Sequence, residues 1–141
     1  MKKTTMIILL AFVLLSCDKN KPEPCTINTS SIAGSYKITA MGYKSSPTAV
    51  EVDYLNVILD EPCRKDDVLT FRTNSTYTSA DVGIVCASSG TRNGSWSLSG
   101  NNMIIDGDQT IIESFDCKTL IIANTDTQVA GDKLRITLVK Q

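Results

Sequence analysis

Short segments in which apolar and polar residues strictly alternate recur along most of the chain, each broken by glycine, asparagine or aspartate. Ser35-Tyr36-Lys37-Ile38-Thr39-Ala40, Ser95-Trp96-Ser97-Leu98-Ser99 and Lys133-Leu134-Arg135-Ile136-Thr137-Leu138 all have period two. That period, with one polar face, predicts strands covered on one side only. Residues 103–106, 110–114 and 119–123 add further strands, and the breaks between them are short enough for hairpins. Residues 68–73 and 76–80 form another pair around Asn74-Ser75. Residues 49–60 fit two patterns: Val50, Val52 and Tyr54 suit a strand, whereas Leu55, Ile58 and Leu59 suit one face of a short helix. We expect a strand or irregular segment there, turning near Glu61-Pro62. No segment beyond residue 62 has a helical period.

The sum is about eight or nine strands joined mostly to their neighbours in sequence, an all-β chain. Consecutive hairpins without long crossovers predict a small antiparallel up-and-down barrel, which leaves no exposed edge. A Greek-key β-sandwich is the alternative. Its immunoglobulin-type version would set a tryptophan between two bridged cysteines, whereas Trp96 follows Cys86.

Alternation also nominates the barrel interior. Tyr36, Ile38 and Ala40 fall on one face, as do Leu69 with Phe71, Trp96 with Leu98, Leu120 with Ile122, and Leu134, Ile136 and Leu138. Met103, Ile105, Tyr77 and Ile111 are expected to join them. Eight strands enclose a space barely wide enough for their own side chains, so this set reads first as a packed core. If one end stays unfilled, Tyr36, Ile38, Phe71, Tyr77, Trp96, Leu98, Ile122 and Ile136 are the candidates to line a ligand site.

The N-terminus breaks this pattern. Lys2 and Lys3 precede residues 6–15, which contain no polar residue. As a helix that run spans roughly 15 Å, half of the roughly 30 Å of bilayer hydrocarbon, so it suits a secretory signal and not a membrane span. It ends Leu14-Leu15-Ser16-Cys17, which resembles the lipobox of bacterial lipoproteins. The resemblance implies removal of residues 1–16 and acylation of Cys17, whose thiolate is the nucleophile that makes the thioether. Two or more acyl chains would then hold the chain to a membrane. Residues 17–31 would form the lipidated cysteine and a polar tether stiffened by Pro22 and Pro24, and residues 32–141 the folded domain.

Four cysteines remain: Cys25, Cys63, Cys86 and Cys117. In an exported chain an even number reads as disulfides, with three possible pairings. If the hairpin around Asn74-Ser75 has a two-residue turn, Thr73 faces Thr76, and the same register places Cys63 opposite Cys86. A bulged turn would shift that register by one. Elimination then pairs Cys25 with Cys117.

Composition narrows the chemistry. The 141 residues are 42% hydrophobic and 21% charged, with a formal net charge of −1. That suits one globular domain and gives no electrostatic reason to expect nucleic acid as a partner. Histidine is absent, which removes the commonest general base and zinc ligand. No C-x-x-C spacing, G-x-S-x-G elbow, phosphate loop or dinucleotide fingerprint is present. Asp66-Asp67 is the one adjacent carboxylate pair, and neighbours in a strand face opposite ways. Residues 124–128 and Asp106-Gly107-Asp108 offer oxygen ligands for calcium, but in ordinary turn composition. We expect no catalytic residue, no metal and no cofactor.

Gly34-Ser35-Tyr36-Lys37-Ile38 and Gly94-Ser95-Trp96-Ser97-Leu98 share a glycine, a small residue and an aromatic before alternation begins. With the run from Cys63 to Phe71 and the last strand, they give the chain, from Ile32 to Lys140, a resemblance to the lipocalin-like lipoproteins of Gram-negative bacteria. The resemblance implies an eight-stranded barrel and a cup for a small apolar ligand. It also implies a basic residue near the end of the last strand packed over the aromatic of the first motif, with Arg135 as the candidate. The expected protein is a monomer, lipid-anchored in the cell envelope on the periplasmic or outer face of a bacterial membrane, the outer membrane foremost. The alternative is a closed-core interaction module presenting its loops to a protein or glycan.

Overall fold

A computed structural model of the chain describes residues 25–87 and 90–141. The expected lipidation site, Cys17, and the signal lie outside the described residues. Nine strands form one antiparallel sheet: β1 (Gly34–Lys44), β2 (Val52–Asp53), β3 (Val68–Phe71), β4 (Thr76–Ala80), β5 (Arg92–Ser99), β6 (Asn102–Ile105), β7 (Asp108–Phe115), β8 (Thr119–Thr125) and β9 (Lys133–Lys140). Each strand from β3 to β9 pairs with the next, and β9 returns to pair with β1 along most of its length, from Tyr36↔Lys140 to Lys44↔Lys133. Eight strands thus close a meander barrel, and β2 is an extra rung on the far end of β1.

This connectivity gives the barrel two unlike ends. The β3–β4, β5–β6 and β7–β8 turns share one end with both termini of the described domain, while the β1–β3, β4–β5, β6–β7 and β8–β9 connections share the other. At the first end sits α1 (Thr29–Ile32), one turn started by a reciprocal cap in which Ser31 N–H donates to Asn28 Oδ1 (2.9 Å) and Asn28 N–H donates to Ser31 Oγ (3.1 Å). It presses Ile32 into the barrel, fully buried, and the Ile32 carbonyl accepts the Tyr36 hydroxyl at 2.6 Å. Above Ile32 the aromatic side chains stack edge to face: the Phe71 ring centre lies 5.9 Å from that of Tyr36 and 5.3 Å from that of Trp96. Met103, Ile112, Leu120, Ile122 and Leu138 complete this core. One end of the barrel is solid.

Three local irregularities shift the expected register. The β3–β4 ladder pairs Phe71 with Tyr77 and Val68 with Ala80, one residue off the two-residue-turn register. Ser75 is in the left-handed region (φ 67°), so the turn holds one more residue than expected. A second bulge, between Ile38 and Ala40, turns Ala40 outward and buries Met41 in its place. In β7 the inward positions are Thr110 and Ile112, and Ile111 is exposed, the reverse of the expected face.

The ambiguous stretch resolves into both alternatives. Residues 52–53 pair with Tyr43 and Gly42, and α2 (Leu55–Ile58) is a single turn that delivers Leu59 into a buried position. A further turn, α3 (Pro62–Lys65), starts at Pro62 and buries Cys63. Both disulfides form, Cys63–Cys86 with Cα atoms 5.3 Å apart and Cys25–Cys117 with Cα atoms 5.5 Å apart. Cys63 and Cys86 do not face each other across the ladder. They lie beyond it, and their bond ties α3 to the loop that follows β4.

Candidate functional site

At the end away from α1 the sheet parts. β1 pairs with β3 only from Gly34 to Tyr36, so from Lys37 onward that edge of β1 runs free until β2 takes it up at Gly42. The opening leads into a cavity of about 620 Å³. Its floor and inner wall are Ile38, Leu59 and Leu69, with Tyr77 and Ser79 from β4. Its rim is charged: Glu61, Arg64 and Lys65 come from α3 and its cap, Asp67 from the start of β3, and Arg92 from the start of β5.

Of the eight residues nominated to line a ligand site, Ile38 and Tyr77 line this cavity. Tyr36, Phe71, Trp96 and Ile122 are packed in the solid end, at most 4% exposed, and Leu98 and Ile136 lean against them. Depth along the barrel axis separates the two groups. The residues that sequence reasoning missed were nonetheless in step with it: Asp67 continues the inward face of Leu69 and Phe71, Ser79 that of Tyr77, and Arg92 that of Trp96 and Leu98. Carrying each alternation one or two steps past its apolar residues finds Asp67, Ser79 and Arg92, whereas Glu61, Arg64 and Lys65 lie on α3 and its cap, outside any strand.

Several rim and wall groups are committed to neighbours. The Tyr77 hydroxyl donates to Asp106 Oδ2 at 2.5 Å, and Asp106 Oδ1 accepts Ser95 N–H at 2.9 Å. Burial and that bond push the Tyr77 phenol up, while the Tyr77 and Ser95 donors hold Asp106 below the usual carboxylate range. Gly94 makes this possible, because a Cβ there would collide with the Tyr77 ring and the Asp106 carboxylate. Arg64 pairs with Asp60 at 3.6 Å, and Lys65 donates to Asn56 at 2.7 Å.

Two groups are not so committed. Asp67 Oδ1 is buried and accepts no hydrogen bond among the described residues. Burial, then the nearby Asp81 and Asp66 carboxylates, raise the Asp67 carboxyl, and Arg64 and Arg92 only partly offset them. Asp66 Oδ1 is likewise buried without a partner among the described residues, while its Oδ2 accepts the Ile84 N–H at 2.8 Å. Arg92, exposed at the start of β5, makes no side-chain hydrogen bond or ion pair among the described residues.

Among the described residues the cavity brings together no nucleophile with an activating base. Glu61, Cys63 and Cys86 do converge, but both sulfurs are spent in the disulfide. In the candidate calcium turns, Asp106 accepts from Tyr77 on β4 and Ser95 on β5, and Asp126 accepts the Gly131 N–H at 2.6 Å.

The expected partner of the first aromatic is also reassigned. Arg135 lies on the outer wall, donating through Nε to Glu113 at 2.7 Å and through Nη1 to Glu51 at 2.9 Å. Lys140 takes the place over Tyr36, its Nζ 5.6 Å from the ring centre and 2.8 Å from the Ser31 carbonyl that it donates to. Arg135 is out of phase with Leu134, Ile136 and Leu138, whereas Lys140 continues their face.

A family model described as a lipocalin-like domain matches residues 32–126. No curated protein matches the chain.

Proposed function

The chain belongs to the lipocalin-like domain family, and on that footing we propose that it is a lipid-anchored carrier in a bacterial cell envelope that holds a small molecule in the open end of its barrel. The family is typically non-catalytic, and the described residues assemble no acid–base pair at the cavity. The observation that carries the reading is the cavity of about 620 Å³ walled by Ile38, Leu69 and Tyr77, at the end that the aromatic core leaves unfilled. That volume lies within the range of small-molecule sites, and a mostly polar and charged rim surrounds a small apolar floor.

The anchor and the cup would sit at opposite ends. Cys25 is fastened by its disulfide to Cys117 in the β7–β8 turn, beside α1 and away from the cavity. A lipid on Cys17 would therefore draw the solid end toward the membrane, and the mouth would face the aqueous side.

Native mass spectrometry of the protein released from its own membranes tests the cup: a co-purified molecule of constant mass supports it. Incorporation of labelled palmitate that disappears in Cys17→Ser supports the anchor, and labelling that persists in that variant removes it. A second reading has one observation in its favour. Ile84 and Val85, 62% and 71% exposed, stand on the mouth loop beside the Cys63–Cys86 disulfide. A protein or glycan partner docking on that loop would make the domain an interaction module, and a bare polypeptide mass together with a captured partner would favour it.

A further inference from the structure

We propose that the mouth end of the barrel is a docking face for a partner protein with a basic surface that also carries apolar side chains. The inference is independent of what the cup holds.

Exposed apolar side chains gather at this end. Among the described residues eight large ones are exposed, and six of them stand on the mouth-end connections, each 52–85% exposed. Val50, Val52 and Val57 lie between β1 and β3, Ile84 and Val85 between β4 and β5, and Val129 between β8 and β9. Direct contacts join the three connections into one belt. Cys86, next to Val85, is bonded to Cys63 on α3. On the same turn Lys65 donates to Asn56, the neighbour of Val57, at 2.7 Å. Gln128, the neighbour of Val129, donates at 3.2 Å to the hydroxyl of Tyr54, which caps α2. Apolar residues scattered singly need no partner, but a continuous belt rimmed by charge marks an interaction surface.

Charge selects the partner. The mouth-end connections, with the strand residues that flank them, carry eleven of the thirteen acidic side chains among the described residues but only five of the ten basic ones. That end therefore has a net charge of −6, and the rest of the described domain +3. Such a field repels nucleic acid, anionic lipid and the same end of a second copy, and it draws in a basic surface. The described chain begins at Cys25 and ends at Gln141 at the opposite end, so neither of these residues obstructs the face.

The test uses the purified full-length Cys17→Ser protein, which lacks the proposed acylation site, with both disulfides formed. Its probes are fluorescein-labelled peptides of alternating lysine and leucine, or of alternating glutamate and leucine. The lysine peptide is expected to bind saturably, more weakly as salt is raised, and at least about tenfold tighter than the glutamate peptide. Two double variants, Asp60→Asn with Asp108→Asn and Val57→Ser with Val129→Ser, should each weaken it about tenfold at unchanged Tm. Ile111→Ser, on the outer wall, should leave binding as it is. A lysine peptide that binds both double variants as tightly as the wild type overturns the inference, and so does equal binding of the glutamate peptide. A dimer in sedimentation that Val57→Ser with Val129→Ser dissolves assigns the face to a second copy. Flotation with phosphatidylglycerol vesicles that the same pair abolishes assigns it to lipid, and either result overturns the basic partner.

Discussion

Lys140 caps the ring of Tyr36 across the β1–β9 seam: the two residues are ladder partners, and the ammonium lies 5.6 Å from the ring centre. The same ammonium donates to the Ser31 carbonyl at the end of α1 and lies 5.9 Å from the Phe115 ring. One side chain therefore joins the first strand, the last strand and the plug that closes the solid end. Its stem also fills the space beside Gly34, where φ is +149° and a Cβ would strike Lys140.

Lys140→Met should therefore lower stability by about 1–2 kcal/mol, through loss of the cation–π contact and an unpaired Ser31 carbonyl. Arg135→Met should cost less than about 1 kcal/mol, because that guanidinium is 37% exposed and its ion pairs with Glu113 and Glu51 are screened. Urea denaturation of the two variants side by side checks the order, and a larger loss for Arg135→Met would reverse the assignment.

Tyr36 provides a pH signature. Burial raises its hydroxyl from the ordinary 10.0 to about 12. The folded state holds this proton after the unfolded chain has released it, so the contribution is complete below the unfolded value. It is lost as pH climbs through the folded one, and between the two stability should fall by about 1.4 kcal/mol per pH unit for this group. Tyrosinate absorbance during alkaline titration should show one of the four tyrosines ionising last, and Tyr36→Phe should delete that step.

Asp132 fixes the β8–β9 loop from a buried position. Burial alone would raise its carboxyl, but donation from the backbone of Thr127, Val129 and Gln128, and from the Tyr43 hydroxyl at 3.0 Å, outweighs it and holds the group far below the usual carboxylate range. The depressed folded value means that this stability is present above the unfolded carboxylate pKa and is lost as pH falls toward the folded one. Asp132→Asn turns an amide toward donors that need an acceptor, and it should lower Tm by roughly 10 °C at neutral pH. The difference from wild type should shrink in strong acid, a trend that thermal scans across pH read directly.

The two disulfides should differ in worth. Cys25–Cys117 closes a span of 92 residues and Cys63–Cys86 a span of 23, which the chain-entropy treatment converts to about 5 and about 3 kcal/mol. Paired serine substitutions should reproduce that ranking in urea. The Cys63–Cys86 pair should in addition loosen α3 at the cavity rim, visible as faster amide exchange at Arg64 and Lys65.

Alternation along the chain carried the strand inventory and the all-β barrel, because period two survives wherever one face is buried. What it could not carry is depth and register. Ser75 is a non-glycine residue in the left-handed region, and nothing in Asn74-Ser75 announces the extra turn residue that moves the β3–β4 ladder. The bulge between Ile38 and Ala40 likewise has no glycine to mark it. The inward residues Tyr36 and Ile38 look equivalent in sequence, yet one is plug and the other cavity wall, since position along the axis follows from how far β1 pairs with β3 before they part. Arg92 and Asp67 were legible only in hindsight, as charged continuations of apolar faces.

The most direct test of an open, occupiable cup is titration of anilinonaphthalene sulfonate into the wild-type protein and into Ser79→Trp, which fills the cavity from its β4 wall. Saturable one-to-one fluorescence enhancement in the wild type, lost in a Ser79→Trp variant of unchanged Tm, is the predicted result. No saturable signal, or a signal that survives the filled wall, would contradict it.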